Sequence, residues 1–573
     1  MPVHCGTDRH LRSFHCPDIR LTVSGFYAVR KPWASPGRTG PPNGRYPVRR
    51  AGCDPPGSGY PRAVNSPTGT AESYWMDSTP PTSYPPVTGE IEADVAVVGA
   101  GIAGICSAWE IAATGRSVVV LEADRIVAGT TGYTTAKVSA QHTLVYDTLR
   151  SSFDEETARL YARSQLDAIE HLDRTATELG IDCELERAPA YTYVTEEKRI
   201  DQIRAEVDAA RHAGLPATLV TATGLPFPVA AAVRVADQIQ FHPRRYLLGL
   251  AEALTARGGR IFERTRVVGL DEGSPCRLTT ESGAVVRARD VVVTTHYPVF
   301  DRALLFTRLQ PRRELAVAGV IAAEHDPHGM YITPENNTRS VRTAPYGADR
   351  RLLIITGEHL RPGTASTTDR FDLLARWAHE HFPVDTLAYH WGAQDNTTSD
   401  GMPYIGRFHP GARHVYVSTG FGGWGMTHGI MGGRLLAAEL AGEPMPWAKI
   451  YDPRRLHPKV EAGSLLKSGL DVGRHLVGDR LRPQTFVDTA ADLAPGSGAV
   501  MRRSGHRSAV YRDLDGALHA VSAVCTHLGC LVAFNDAETS WDCPCHGSRF
   551  DIDGKVLEGP ATTPLAPHDP GDT

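Results

Sequence analysis

Runs of eighteen or more apolar residues are missing from this 573-residue chain, so no helical membrane span is expected. The N-terminus also lacks the apolar middle segment of a secretory signal peptide. Glutamate is absent from the first 70 residues, which hold ten Arg or Lys and three Asp, leaving 50 basic and 62 acidic residues in the remainder. A body this acidic offers no electrostatic footprint for nucleic acid or an anionic membrane face. A cysteine framework is missing too: Cys5, Cys16, Cys53, Cys106, Cys183 and Cys276 are scattered, while the other four of the ten fall between 525 and 545. Such usage points to a cytoplasmic protein with one local cysteine cluster.

The length allows three or four domains, and 41% hydrophobic residues suffice for real cores. Residues 1–90 are rich in Pro, Gly, Arg and Ser, as in PGRTGPPNG and CDPPGSG, and are expected to be disordered. An Arg-rich, acid-poor leader suggests organelle targeting; an overlong start upstream of a natural beginning near Tyr74 or Met76 is the preferred reading. No function is assigned to it.

The stretch from Cys525 to Phe550 reads CTHLGCLVAFNDAETSWDCPCHGSRF. It sets Cys525 and His527 against Cys543 and His546 across fifteen residues. Two loops that each offer one thiolate and one imidazole can hold a 2Fe-2S cluster with both sulfurs on one iron and both nitrogens on the other. Zinc is the rival, because two Cys and two His also close a tetrahedron. The C-x-H spacing is tighter than that of a zinc finger, and the flanks HLGC and CHGS resemble the Rieske loop pair.

Order is expected from Asp94 to Val98, a continuous apolar run of the buried parallel type. Gly99-Ala100-Gly101-Ile102-Ala103-Gly104 follows and opens a helix to Ala113, and a second strand, Ser117 to Leu121, ends at Glu122. Strand, glycines, helix and acid together make a dinucleotide fingerprint, with Glu122 placed for ribose hydroxyls. The next loop, Gly129 to Lys137, is dense in small hydroxyl residues that suit a diphosphate and a flavin edge. Residues 154–180 and 196–214 read as helices of a cap. A helix from Phe241-His242-Pro243 to Gly258, strands near Val267, and VVVTTH read as a second visit to the nucleotide sheet. Between 310 and 395, LAVAGVIA and LLIITGEH imply a separate antiparallel layer. A strand from Val415 to Thr419 feeds Gly420-Phe421-Gly422-Gly423-Trp424-Gly425 and a last helix, aiming N–H dipoles at a partial negative charge.

On the motifs VVGAGIAG, TTGYTTAK, SDGMPYIG and TGFGGWGMTHG, residues 91–455 resemble the FAD-dependent oxidoreductases of the D-amino-acid oxidase and glycine oxidase superfamily. Residues 481–573 resemble a Rieske domain of the cytochrome bc type, joined through a linker at 456–480. The resemblance implies an α/β multidomain fold: a Rossmann-like FAD domain, an antiparallel substrate layer at about 180–240 and 305–395, and a small all-β Rieske domain. It implies FAD at Gly99, Gly101, Ala103 and Gly104 for the diphosphate and at Glu122 for the ribose. Thr131, Thr135, Ala136, Val267 and Thr427 join as further contacts, with Gly425 and Met426 beside the isoalloxazine. It also implies a Cys530–Cys545 disulfide bracing the cluster loops, free buried thiols being the alternative. Ser548 matches a serine that hydrogen-bonds cluster sulfur. Phe550 stands where tyrosine is common, so one donor is missing and a middling potential is expected within the Rieske span of about −150 to +300 mV.

No side chain announces itself as catalytic, because hydride removal by a flavin needs alignment more than acid or base. Lys137, His142, Tyr346, His359, Asp400 and His428 are candidates by position, each with a structural role as the alternative. Arg312-Arg313 could hold a substrate carboxylate. His379-Glu380-His381 reads as surface, since adjacent helical positions do not face one another. The expected function is oxidation of a small organic substrate, an amine or amino acid, with electrons leaving through the Rieske cluster to an external one-electron acceptor. A reductase running inward, and a Rieske domain that only docks or senses, are the alternatives. A Rieske oxygenase is disfavoured because no downstream mononuclear iron domain follows.

Overall fold

The computed structural model describes residues 69–474 and 490–569, apart from Ala303, Ala365, Ser504 and Gly505. Most of the leader and the end of the expected linker, 475–480, lie outside these residues. Two central strands, Glu90–Val98 and Val285–Val293, run parallel and are buried on both faces where their sequence is continuously apolar. Val118–Leu121, Arg260–Phe262 and Val415–Thr419 extend the sheet in parallel, and Tyr404–Arg407 closes one edge antiparallel. The hairpin Val267–Asp271 and Cys276–Thr280 hangs from Val285–Val293. The helices Ile102–Ala113 and Gly425–Ala441 pack against each other where a side chain on Gly429 or Gly433 would strike Ile102 or Cys106 at 2.7 Å.

A second, nine-stranded sheet forms the cap. Its longest strand, Leu309–Ala322, lies second from one edge and pairs antiparallel with Arg350–Leu360 and Leu387–Thr398. The antiparallel layer expected between 310 and 395 is this sheet, joined by the strands Glu186–Val194 and Ala231–Gln240. The C-terminal region is all-β: a three-stranded sheet within 497–522 and a four-stranded sheet within 533–558. Among the described residues no helix is long and apolar enough to cross a membrane.

Two boundaries differ from expectation. The disorder expected over residues 1–90 does not hold for Gly69–Glu90, where Trp75 is fully buried and its indole donates to the Thr134 carbonyl at 2.6 Å. Two large aromatics outweigh the proline-rich composition around them, because burying each contributes more than the local chain entropy costs. The stretch 456–480, expected as a linker, contains a helix, Pro458–Gly473. That helix is fastened by the buried Glu461 carboxylate on Arg308 and by Gln310 donating to Ser464 at 2.7 Å.

Candidate flavin and iron-sulfur sites

The dinucleotide cradle begins where Glu90–Val98 runs out. Gly99 has φ +98°, and a Cβ there would meet the Thr294 carbonyl oxygen at 2.7 Å. A Cβ on Gly104 would lie 1.9 Å from the Gly99 oxygen, so helix and strand touch through bare backbone. A Cβ on Gly101 would meet Thr131 Oγ1 at 3.0 Å, and that hydroxyl accepts the Ile102 N–H at the helix N-terminus, also at 3.0 Å. Ala103 is buried in the first turn, and Val267 opens the hairpin beside Leu121 and Phe262. The Glu122 carboxylate accepts the N–H groups of Ala100 (2.8 Å) and Asp124 (3.0 Å). Burial pushes its pKa up against those donors.

The second wall is the loop Gly420–Trp424 and the start of Gly425–Ala441. Gly425 opens that helix, Met426 is buried, and the Thr427 hydroxyl both accepts from Ser139 N–H and donates to Ser139 oxygen at 3.1 Å. The side chain of Thr427 is thus taken by Ser139. Across the site, the carbonyls of Thr135 and Ala136 accept the buried Arg342 guanidinium at 3.1 and 2.7 Å, which fixes the hydroxyl-rich loop.

The catalytic candidates separate. His142 stacks on Trp424 at 4.3 Å and shares the Tyr161 hydroxyl with His428. Burial pushes His142 well down and His428 down to about 4, so both imidazoles are neutral supports for the loop. Tyr346 packs edge-on against Tyr74. Asp400 is buried and held by Arg455 at 2.7 and 2.8 Å. Burial opposes the Asp400 charge, yet Arg455 holds the carboxyl below its ordinary value. Removing the cation by Arg455→Met strands that carboxylate and is expected to cost about 3–5 kcal/mol in urea unfolding. His381 lies against Trp377 on the helix Thr367–His381, as a surface position should.

What remains is one polar face of the cap sheet. Lys137 donates to the Ser340 hydroxyl, its ammonium 5.9 Å from the Trp424 ring centre. Burial, only partly offset by Glu314, pushes Lys137 down to about 8. Glu314 accepts from the Thr356 hydroxyl at 3.1 Å and lies 3.7 Å from His359 Nδ1. Arg312 projects to within 3.7 Å of the place a Gly423 side chain would occupy and has no hydrogen-bond or ion-pair partner among the described residues. Its neighbour Arg313 corrects the expected pair: it is buried and bound to Glu538 of the C-terminal region, because side chains alternate faces along a strand. Glu314, Ser340 and Thr356 went unnoticed in the sequence. The period of two along a strand, which puts Glu314 on the same face as Arg312, is the signal that could have found it.

The two C-terminal loops are built alike. Cys525 N–H donates to Cys530 oxygen (2.8 Å) and Gly529 N–H returns to Cys525 oxygen (3.0 Å); Cys543 does the same with Ser548 (2.8 Å) and Gly547 (3.0 Å). Cys530 and Cys545 are disulfide-bonded, which removes them from any ligand set and leaves the thiols of Cys525 and Cys543 free and buried. A hydrogen bond with Cys543 lowers Cys525 to about 7 against burial, with Ser548 adding to it. The rings of His527 and His546 stand edge-to-face at 5.0 Å, and among the described residues buried His546 Nδ1 has no hydrogen-bond partner. Two thiols, a Ser548 hydroxyl and an orphaned imidazole nitrogen fit a 2Fe-2S cluster. Phe550 is fully buried in the core around Trp541.

Both loops face the first domain. Phe306 packs edge-on against His527 (6.0 Å) and His546 (5.5 Å), and Gln394 Nε2 donates to Gly547 oxygen at 2.8 Å. Asp536 accepts the Ser366 hydroxyl at 2.8 Å and the Thr367 N–H at 2.9 Å.

A dinucleotide cradle under an antiparallel cap, with a cluster-type loop pair seated on it, defines a flavin oxidoreductase joined to an electron-transfer domain. The chain belongs to the FAD dependent oxidoreductase family, which matches residues 94–439, and residues 484–569 match the Rieske 2Fe-2S domain. It is 33% identical over 496 residues to the putative Rieske 2Fe-2S iron-sulfur protein YhfW of Bacillus subtilis, spanning 86% of this chain and 97% of that one. To the gamma-glutamylputrescine oxidoreductase of Escherichia coli it is 24% identical over 391 residues, 65% of this chain and 89% of the other. The fold is like that of glycine oxidase from Geobacillus kaustophilus, with TM-score 0.53 and 22% identity over 64% of this chain and 99% of that one. It is therefore an enzyme whose cofactors are FAD and a Rieske 2Fe-2S cluster.

Proposed function

We propose that this enzyme oxidises a small amine or amino acid at its flavin unit, residues 91–455, and delivers the electrons through its Rieske unit, residues 481–573, to an external acceptor. The observation that carries the reading is the seating of both cluster loops on the FAD domain, with Phe306 against the two histidines and Gln394 on Gly547. The substrate class is supported by relatives named for glycine and gamma-glutamylputrescine.

When bound, FAD supplies a hydride acceptor and the 2Fe-2S cluster a one-electron carrier. Gly99, Gly101, Ala103 and Gly104 would hold the diphosphate at the helix N-terminus, Glu122 the ribose, and Val267 the adenosine end. Thr131, Thr135, Ala136, Gly425, Met426 and Thr427 would border the rest of the cofactor. Cys525, His527, Cys543 and His546 would ligate the irons. Lys137 Nζ, lowered to about 8, would take a proton from a substrate ammonium, since an amine must be neutral to lose hydride from its carbon. Arg312, whose guanidinium has no partner among the described residues, would bind a carboxylate.

Anaerobic stopped-flow with amines, amino acids and hydroxy acids tests this. Flavin bleaching by an amino compound, followed by cluster reduction, is expected; a cluster that stays oxidised after the flavin is reduced refutes the outward route. For a carboxylate-bearing substrate, Arg312→Ala is expected to raise KM about 10–100-fold with little change in kcat, the pattern of lost ground-state binding.

A further inference from the structure

A ring of ionic contacts leaves the FAD domain, enters the Rieske domain and returns. Arg313 pairs with Glu538, whose second oxygen lies 3.3 Å from Arg549. Arg549 reaches Asp542 at 3.0 Å and Glu558 at 4.0 Å. Glu558 sits 3.1 Å from His296 Nδ1, and His296 Nε2 is 3.3 Å from Asp395. The other Asp395 oxygen accepts the N–H of Gly423, in the loop that borders the flavin site. Asp395 follows Gln394, the strand partner of Arg313, so the ring closes.

His296 is the one member whose ordinary titration lies near neutral pH, so its surroundings decide its charge there. It faces Asp395 and the Asn396 amide from the strand Leu387–Thr398, Glu558 from Val556–Glu558, and the Thr419 hydroxyl on its own carbonyl. Four carboxylates meet two guanidinium groups here. A neutral imidazole would leave two negative charges uncompensated in the seam, and an imidazolium leaves one. Burial opposes the charge, but the two carboxylates outweigh it and raise His296 to about 10. The seam is therefore closed at physiological pH. A folded pKa above the ordinary histidine value makes this contribution full below about pH 6.5. It is lost as pH rises through about 10.

We propose that His296, as the imidazolium, is a positioning residue that clasps the Rieske domain onto the flavin loop, so that electron exchange between the two domains depends on its protonation. The electron-exchange half rests on the function proposed above; the clasp needs only the seam.

Hydrogen–deuterium exchange on the full-length holoenzyme reads the clasp directly. At pH 7, His296→Gln is expected to speed amide exchange in 393–398 and 544–549 about tenfold, while the sheet within 497–522 stays unchanged; His296→Lys, which restores a cation, is expected to recover protection. In the wild-type protein the same peptides should loosen as pH passes about 10, with no such step in His296→Gln. Unchanged seam exchange in His296→Gln, or loosening of 497–522 as well, overturns the clasp. Cluster reduction after flash photoreduction of the flavin, which requires no substrate, is expected to slow about tenfold in His296→Gln. An undiminished rate in a loosened seam overturns the positioning role. Absence of the transfer in both proteins, with a loosened seam, refutes the function proposed above and leaves the clasp standing.

Discussion

Cys543→Ser is expected to give a protein that binds flavin but carries no iron-sulfur signal, with turnover on an external one-electron acceptor falling by more than about 100-fold, beyond the 10–100-fold typical of losing an outer-shell partner. The thiolate is the ligand, and a serine hydroxyl in the same buried loop would have to ionise against its ordinary chemistry to replace it. The Cys543 loop is held by backbone hydrogen bonds to Gly547 and Ser548, which the substitution leaves intact, so the loss should be chemical rather than architectural. Absorbance and electron paramagnetic resonance of the purified variant measure the cluster, and anaerobic bleaching by an amino compound measures the flavin. Retention of the cluster spectrum in Cys543→Ser would refute the ligand assignment.

Gly104→Val is expected to yield protein without flavin and with markedly lowered thermal stability. Even the first added carbon would lie 1.9 Å from the Gly99 oxygen and 2.8 Å from Thr294 Oγ1. Both contacts are too short for any real Cβ, and backbone supplies the nearer one. Helix Ile102–Ala113 must therefore move off the strand, withdrawing the N–H groups that would face the diphosphate. Overpacking alone costs about 1–3 kcal/mol, and the lost ligand adds to it. Gly463→Ala, at a glycine of the helix Pro458–Gly473 with nothing within 4 Å, is the control away from the cradle and should keep its flavin. Flavin content after desalting and a thermal melt decide the matter.

Patterns confined to neighbouring residues were legible before any fold was known. The strand ending at Gly99, the helix that follows and the glycine-rich entry to Gly425–Ala441 announce themselves through apolar runs and turn chemistry, and the Cys530–Cys545 bridge followed from a family likeness. Tertiary partnerships were not legible. Arg312 and Arg313 read as a pair, yet strand alternation sends one toward the flavin loop and the other into the Rieske domain. Tyr74 and Trp75 were lost in proline-rich surroundings because their value lies in a cavity made by distant residues such as Thr134 and Arg342. His296 has neighbours at 395 and 558, separations that no local period reveals.

The Arg313–Glu538 contact bears on how such a two-part enzyme can be rebuilt. Its guanidinium comes from the flavin half and is buried at the joint, with 1% of the side chain exposed, while its counter-charge is supplied by the other half. Neither half is therefore a self-sufficient cassette. A foreign Rieske module grafted in place of residues 481–573 would have to bring a carboxylate to the position of Glu538, or be accompanied by an apolar replacement of Arg313. Compatibility between the halves includes this pair of charges, and shuffling that ignores it leaves a bare cation where the Rieske domain docks.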